Sequence, residues 1–244
     1  MSKTTHIILY CLLALLMCAT QANAQGFSIE FLEESSLTLK TLQLIILITV
    51  LSLAPGIAIM VTCFPFIITV LSILRQALGL QQAPPNMLLV SLALFLTYFI
   101  MEPVFTAAWI DGVAPYFQQQ MAVEEALKKT TAPFAKFMLG RVDQDTLSSL
   151  SALRNLDLYS ESPPPLSVLI PSFMLSEIAR AFQIGFLIFL PFVIIDLVVA
   201  AILMSMGMMM VPPAMVALPF KLAFFVVANG WALIAEALVR GYVH

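Results

Sequence analysis

The sequence predicts an all-α integral membrane protein built from kinked helical hairpins. Of its 244 residues, 61% are hydrophobic and only 10% are charged, whereas a soluble domain carries about 25% charged residues. Several apolar runs exceed the roughly 20 residues that a helix needs to cross a bilayer. Prolines interrupt these runs, which predicts helices that are bent or broken.

The N-terminus has the pattern of a cleaved signal peptide. Lys3 supplies the positive charge, a short apolar run follows, and Ala22-Asn23-Ala24 is typical of a cleavage site. We therefore expect residues 1–24 to be removed and residues 25–41 to form a periplasmic N-terminal segment. A lipoprotein anchored on Cys18 and an uncleaved anchor helix are the alternatives.

The first predicted hairpin, residues 42–110, contains the apolar segments 42–74 and 87–110. The former is either one long kinked helix or two half-helices, and the latter is expected to break in the middle. The interrupting residues are Pro55-Gly56 and Pro65 in the former and Glu102-Pro103 in the latter.

Residues 111–180 hold more than half of the charged side chains and form the one conventional water-facing region. Residues 117–130 have the pattern of an amphipathic helix, and Pro171 is expected to begin the next helix. If the signal peptide starts the chain outside the cytoplasm, four crossings place 111–180 on the periplasmic side.

The second predicted hairpin, residues 181–240, contains a methionine loop over residues 205–213, "SMGMMMVPP". Asp196 and Lys221 are ionisable residues deep in the apolar segments on either side of the loop. Such a residue costs at least about 2.5–3.5 kcal/mol at a helix centre unless it is paired or hydrated. The two side chains share a depth if the methionine loop is not helical, which favours an ion pair. A structural pair that locks the helices is one interpretation, and a proton relay is the other.

Three other charged residues are candidates for helix packing. Glu102 precedes Pro103 and is expected to cap a half-helix, while Glu177 and Arg180 lie three residues apart and are expected to pair locally.

The methionines themselves have three interpretations. They are adaptable filler, or soft thioether ligands for Cu(I), or a deformable apolar gate where loops from several copies meet at an axis. A relay of copper would need a second methionine or histidine cluster, which the sequence does not show.

The sequence offers no conventional catalytic or cofactor site. After removal of the signal peptide Cys63 would be the single cysteine, so no disulfide or thiolate metal site is expected within one chain. We find no His/Cys/carboxylate cluster, no nucleophile beside a base and no glycine-rich phosphate loop. A net charge of −3 gives no basic surface for nucleic acid. We therefore expect a protein that is not an enzyme and binds neither metal nor cofactor.

Three long stretches resemble the FliP family, the flagellar biosynthetic proteins of the type III export gate. They are "LRQALGLQQAPPNMLLVSLALFLTYFIMEPV", "IPSFMLSEIARAFQIGFLIFLPFVIIDLVVAAILMSMGMMMVPP" and "LPFKLAFFVVANGW". The resemblance covers nearly everything after Leu42. One departure is Asn229, where the family pattern leads us to expect Asp, and this puts any acid role there in doubt.

The resemblance implies a subunit of a closed helical, oligomeric pore. Several copies of the chain, with five implied, would assemble with FliQ, FliR and other export-gate subunits in the bacterial inner membrane, within the flagellar basal body. The helices would lie in protein and lipid, largely above the bilayer plane, and unfolded flagellar proteins would be the cargo. The implied site residues are the gate methionines Met206, Met208, Met209 and Met210, the charged pair Asp196 and Lys221, and a periplasmic-side Arg141.

Two other classes of function stay open at this stage. One is a stand-alone ion or copper membrane transporter. The other is an assembly scaffold without a pore of its own.

Overall fold

The computed structural model describes residues 34–80, 83–155, 164–208 and 210–242. The chain divides into two units, residues 1–52 and residues 53–244. The predicted signal peptide lies outside the described residues. Every regular element within the described ranges is helical: α1 (Glu34–Met60), α2 (Phe64–Ala77), α3 (Asn86–Ala108), a π-helix (Trp109–Val113), α4 (Ala114–Phe117), α5 (Val123–Leu139), α6 (Gln144–Leu153), α7 (Leu166–Ser205), α8 (Pro213–Val227) and α9 (Gly230–Arg240).

The first apolar segment consists of two helices, α1 and α2, separated at residues 61–63. Pro65 lies in the first turn of α2, where its missing N–H costs no helical hydrogen bond. Thr62 bridges the break, because its hydroxyl donates to the Ile59 carbonyl at 3.0 Å and accepts from the Phe64 N–H at 3.4 Å. Pro55 lies inside α1 without ending it.

The main core forms where α2 packs between α7 and α3. The buried side chains of α2 recur every three or four residues, which places them on one face of the helix: Phe66, Ile67, Val70, Leu71, Leu74 and Ala77. Gly185 lets α7 approach this helix closely, since a Cβ at that position would lie 2.4 Å from Ile73 Cδ1.

The expected break at Glu102-Pro103 is wrong. Helix α3 continues through Pro103 to Ala108, and a π-helical turn then follows. Pro103 removes one main-chain donor, but the helix persists because its neighbours on the apolar run continue to pack. Glu102 therefore caps no half-helix, and its side chain is exposed on the surface of α3.

The water-facing region contains α4, α5 and α6, and its amphipathic helix begins later than the sequence pattern indicates. Gln119 adopts a positive φ of 56° and ends the short α4, so the amphipathic helix begins at Val123 rather than at residue 117. Gly112 permits close contact with α5, because a Cβ there would lie 2.6 Å from the Thr130 nitrogen.

Helix α7 begins at Leu166, five residues before the expected start at Pro171. Pro165 precedes the first turn. Pro171 removes only a hydrogen bond to the carbonyl of Ser167 near the helix start, which explains why the helix tolerates it.

Three helices are long and apolar enough to cross a membrane, namely Lys40–Met60, Asn86–Phe117 and Leu166–Ser205. A fourth candidate is the pair α8 and α9, which bends by 61°. Asn229 forms this bend with a left-handed backbone, φ 51° and ψ 45°, a conformation that Asn tolerates better than most residues.

Candidate functional site

The methionine loop is not helical because glycine and proline delimit it. Helix α7 ends at Ser205, and Gly207 then takes a positive φ of 73°. The Met208 N–H donates to the Leu203 carbonyl at 3.0 Å and the Gly207 N–H donates to the Met204 carbonyl at 3.0 Å. This is the Schellman arrangement that glycine favours at helix ends. Pro213 occupies the first turn of α8, so the loop is confined between two fixed helix ends.

The described methionine side chains of the loop face outward to different degrees. Met210 is 99% exposed and Met206 is 65% exposed, whereas Met208 is 37% exposed. Met209 lies outside the described residues. Methionine is apolar and conformationally flexible, so the hairpin presents soft apolar side chains at its tip.

An apolar groove of about 500 Å³ lies between α7 and α8 next to the loop. Met206 and Met208 line its end, and aliphatic side chains from both helices line the rest, among them Val198, Ile202 and Val216. The methionine loop therefore continues an apolar surface that runs along the hairpin.

The structure brings Asp196 and Lys221 together below the loop. Lys221 Nζ donates to Asp196 Oδ2 at 2.6 Å and to the Ala77 carbonyl at 3.1 Å. The Lys221 side chain is 7% exposed and the Asp196 side chain 36% exposed. Asp196 lies nine residues before the end of α7 and Lys221 eight after the start of α8, which puts both about 12–14 Å from the loop at about 1.5 Å per residue.

The contact with Ala77 extends the pair to a third helix. The carbonyls in the last turn of a helix lack intrahelical partners, and the ammonium of Lys221 satisfies one of them at the end of α2. A cation is also favoured at this negative end of the helix dipole. Lys221 thus ties α2, α7 and α8 at one point, while Asp196 Oδ1 is buried without a partner in the part of the chain that the structure describes.

A second charge cluster is centred on Glu177, whose side chain is fully buried. Arg141 Nε donates to Glu177 Oε1 at 3.2 Å, and Arg180 Nη1 lies 3.6 Å from the same oxygen. The Tyr242 hydroxyl donates to the other carboxylate oxygen. Glu177 and Arg180 do pair within α7, but Arg141, which the sequence groups with Asp196 and Lys221, belongs to this second cluster.

Comparison with known proteins identifies the family. The family model described as "FliP family" matches residues 47–238. The chain is 50% identical over 209 residues to the flagellar biosynthetic protein FliP of Caulobacter vibrioides, which covers 85% of this chain and 79% of that protein. It is 44% identical over 227 residues to FliP of Agrobacterium fabrum, with 91% and 93% covered. It is 45% identical over 203 residues to FliP of Bacillus subtilis, with 83% and 92% covered.

The chain belongs to the FliP family. The range that matches the FliP family model includes the methionine loop and both charge clusters, except for the last contacts at Gly241 and Tyr242. The match to the family therefore includes the part of the chain that carries these features.

In this FliP family member, Glu102 and Asn229 lie at positions in the fold that their sequence context did not indicate. The Glu102 side chain is exposed on α3 and makes no hydrogen bond or ion pair with any described residue. Asn229, the departure from the expected family pattern, is the hinge between α8 and α9 rather than a charged site.

Sequence reasoning missed several partners. It did not foresee Tyr242 or the Ala77 carbonyl, nor the Ser176 hydroxyl, which accepts from the Asp143 N–H at 2.9 Å. A backbone carbonyl has no sequence signal. The "VRGYVH" end offered one signal, an aromatic residue with a hydroxyl directly after an amphipathic helix.

Within the described residues, no group of three or more His, Cys, Asp and Glu side chains is arranged to hold a metal ion. The free Cys63 is buried in the main core.

Proposed function

We propose that this chain is a pore-forming subunit of the flagellar type III protein export gate. In this proposal it passes unfolded flagellar proteins across the bacterial inner membrane, and the methionine loop is its gate. The observation that carries the proposal is the exposed, non-helical methionine loop at the tip of an apolar hairpin, in a chain of the FliP family.

The exposure of the loop supports a place at an assembly axis. A single apolar side chain on a surface is ordinary, but Met206 and Met208 line an apolar groove and form a continuous patch with it. Continuous apolar patches mark surfaces that meet protein or lipid. Copies of the loop arranged around an axis would cover one another and close the centre.

A ring of methionines has the properties that an export gate needs. An apolar constriction excludes water and ions because a narrow apolar passage dewets. Thioether side chains change rotamer easily and make no specific hydrogen bonds with a passing chain. An unfolded polypeptide can therefore displace them, after which the constriction closes again.

The Lys221 cluster gives this soft loop a rigid base. Its ion pair and its bond to Ala77 fix α2, α7 and α8 relative to one another within about 14 Å of the loop. We propose that Asp196 and Lys221 act structurally, holding the two stems of the hairpin so that only the loop moves.

The proposed partners follow the family. Several copies of the chain, five in our proposal, assemble with FliQ, FliR and other export-gate subunits in the flagellar basal body. In this role the chain catalyses no reaction and needs no cofactor. Lipid contacts the apolar helices that can cross a membrane.

The test of assembly is the mass of the detergent-extracted complex and the identity of its co-purifying chains. We expect a complex of several copies together with FliQ and FliR. A monomer that binds Cu(I) tightly would overturn the proposal in favour of a copper transporter. A complex in which the pore is lined by other chains, shown by crosslinks that never join two methionine loops, would favour a scaffold.

The orientation is tested with single cysteines in a background whose three native cysteines are changed to alanine. Ser148→Cys on α6 should react with an impermeant thiol reagent in intact cells, because we propose that residues 111–180 face the periplasm. Ser205→Cys beside the methionine loop should react only after lysis. Both wild-type side chains are exposed in the single chain, and the opposite labelling pattern would refute the orientation.

A further inference from the structure

The segment that follows α9, residues 241–242, is anchored by the side chain of Tyr242. The Tyr242 ring packs edge-on against Phe66 of α2 at a centroid distance of 5.5 Å, and it stacks on Phe137 of α5 at 6.0 Å. Its hydroxyl donates to Glu177 of α7. One side chain thus contacts three helices that are distant from it in sequence.

Arg141 holds the same segment from its other side. Its guanidinium lies 3.9 Å from the centre of the Tyr242 ring, a cation–π contact. Its Nη1 donates to the Gly241 carbonyl at 2.8 Å. Arg141 also pairs with Glu177. The Gly241 carbonyl and the Tyr242 hydroxyl therefore belong to one polar network with Arg141 and Glu177.

The helix before this segment has few other buried contacts. Helix α9 joins α8 through the 61° bend at Asn229, and it buries few residues of its own, namely Gly230, Ile234 and Leu238. A bend of this kind does not by itself fix the direction of the helix that follows, so contacts along and beyond α9 determine it. Ile234 and Leu238 supply some of these contacts in the main core. The contacts of Gly241 and Tyr242 lie at the far end of the helix.

We propose that Gly241 and Tyr242 form a C-terminal latch, with Tyr242 as the positioning residue that docks α9 on Glu177 and Arg141 and thereby sets the bend between α8 and α9. The latch lies beyond the residues that match the FliP family model, and the inference does not rest on the proposed export function.

The chemistry of the network suits a lasting contact. Burial, and next the negative charge of Glu177, raise the pKa of the Tyr242 hydroxyl. The hydroxyl therefore keeps its proton and remains a donor at neutral pH. Glu177 is fully buried and lies against the guanidinium groups of Arg141 and Arg180, so the loss of a donor leaves a buried acceptor poorly satisfied, which is costly.

The direct test is Tyr242→Phe, measured by amide hydrogen exchange in the full chain purified with its co-purifying subunits. Phenylalanine retains the ring contacts with Phe66, Phe137 and Arg141, so the chain should fold. We expect the amides of α9 to exchange about ten- to a hundredfold faster, the range for one hydrogen bond to a charged acceptor. Tyr98→Phe is the matched control, because Tyr98 is an exposed tyrosine that stacks on Phe105, and it should leave α9 unchanged.

Trp231 supplies a spectroscopic signal at the other end of α9. The chain has two tryptophans, so Trp109→Phe leaves Trp231 as the single reporter. Its ring packs edge-on against Phe225 of α8 at 5.3 Å, which makes its emission sensitive to the bend. Tyr242→Phe should shift this emission although position 242 is eleven residues away along the chain, and Tyr98→Phe should not.

Coupling to Glu177 separates a latch from a general packing role. In a Glu177→Leu background the latch has lost its acceptor, so adding Tyr242→Phe should change neither exchange nor emission further. Unchanged exchange in α9 of Tyr242→Phe would overturn the proposal. So would acceleration spread equally over α2 and α7, an unshifted Trp231 emission, or an undiminished effect of Tyr242→Phe in the Glu177→Leu background.

Discussion

Removal of Asp196 is the perturbation whose cost the structure defines best. In Asp196→Ala the ammonium of Lys221, in a side chain only 7% exposed, keeps the Ala77 carbonyl but loses its counter-ion. Breaking a buried ion pair from one side costs about 3–5 kcal/mol. Because the Asp196 side chain is 36% exposed and the pair is thus only partly buried, we expect the lower end of the range, about 3 kcal/mol.

The reverse truncation should cost less. Lys221→Met retains the apolar stem and leaves Asp196, the more exposed member of the pair, without its partner, while the Ala77 carbonyl loses one donor. We expect about 1–2 kcal/mol for this change. For a chain of this size each kcal/mol corresponds to about 2–4 °C in Tm. Asp196→Ala should therefore lower Tm by about 6–12 °C and Lys221→Met by about 2–8 °C.

The double variant tests whether the two effects share one origin. Replacement of a buried pair by apolar residues of similar volume is often neutral, so Asp196→Leu combined with Lys221→Leu should restore Tm and complex yield towards wild type. The assay is thermal unfolding of the purified protein in detergent, followed by tryptophan fluorescence. A wild-type Tm for Asp196→Ala, or a double variant less stable than both single ones, would refute the reasoning.

Two further predictions concern the backbone and a helix cap. Gly230→Ala should lower Tm more than Gly207→Ala. A Cβ at position 230 would lie 2.2 Å from the Phe225 ring, whereas a Cβ at position 207 would meet open space and cost only the backbone strain of φ +73°. Equal decreases in Tm would contradict this. Asp143 accepts from the Thr146 N–H at 3.0 Å, and this bond holds the pKa of its carboxyl below the ordinary value. The bond therefore stabilises the protein above the ordinary Asp pKa of about 3.9 and is lost as pH falls through the lower folded value. In thermal unfolding experiments, Asp143→Asn should make the Tm of the protein depend less on pH between pH 5 and pH 3. A dependence equal to that of the wild type would rule out this role.

The helical class and the position of the methionine loop could be predicted from the sequence because composition and local signals determine them. Long uncharged runs indicate apolar helices, and Gly207 with Pro212-Pro213 excludes a continuous helix. The partner of Lys221 could be inferred as well, since Asp196 was the ionisable residue at a matching depth in the facing segment.

The failures have a different physical origin. Pro103 and Pro171 were expected to mark helix boundaries, but one lost hydrogen bond is outweighed by the packing of buried apolar residues in the same turns, such as Met101 and Phe173. The Glu177 cluster joins residues from three distant parts of the chain. The spacing of residues in the sequence indicates only the contact between Glu177 and Arg180, because long-range contacts leave no periodic pattern in a single sequence.

The methionine gate is tested most directly by ion leakage through a triple variant, Met208→Ala, Met209→Ala and Met210→Ala together. The loss of bulk should cost little stability, since Met208 and Met210 are exposed rather than packed in a core. Met87→Ala, which truncates another exposed methionine, is the control. We predict normal complex yield, raised conductance for small ions and at least partial flagellar export, with the control sealed. A triple variant that assembles normally and stays sealed would contradict the gate and leave the methionines as loop filler.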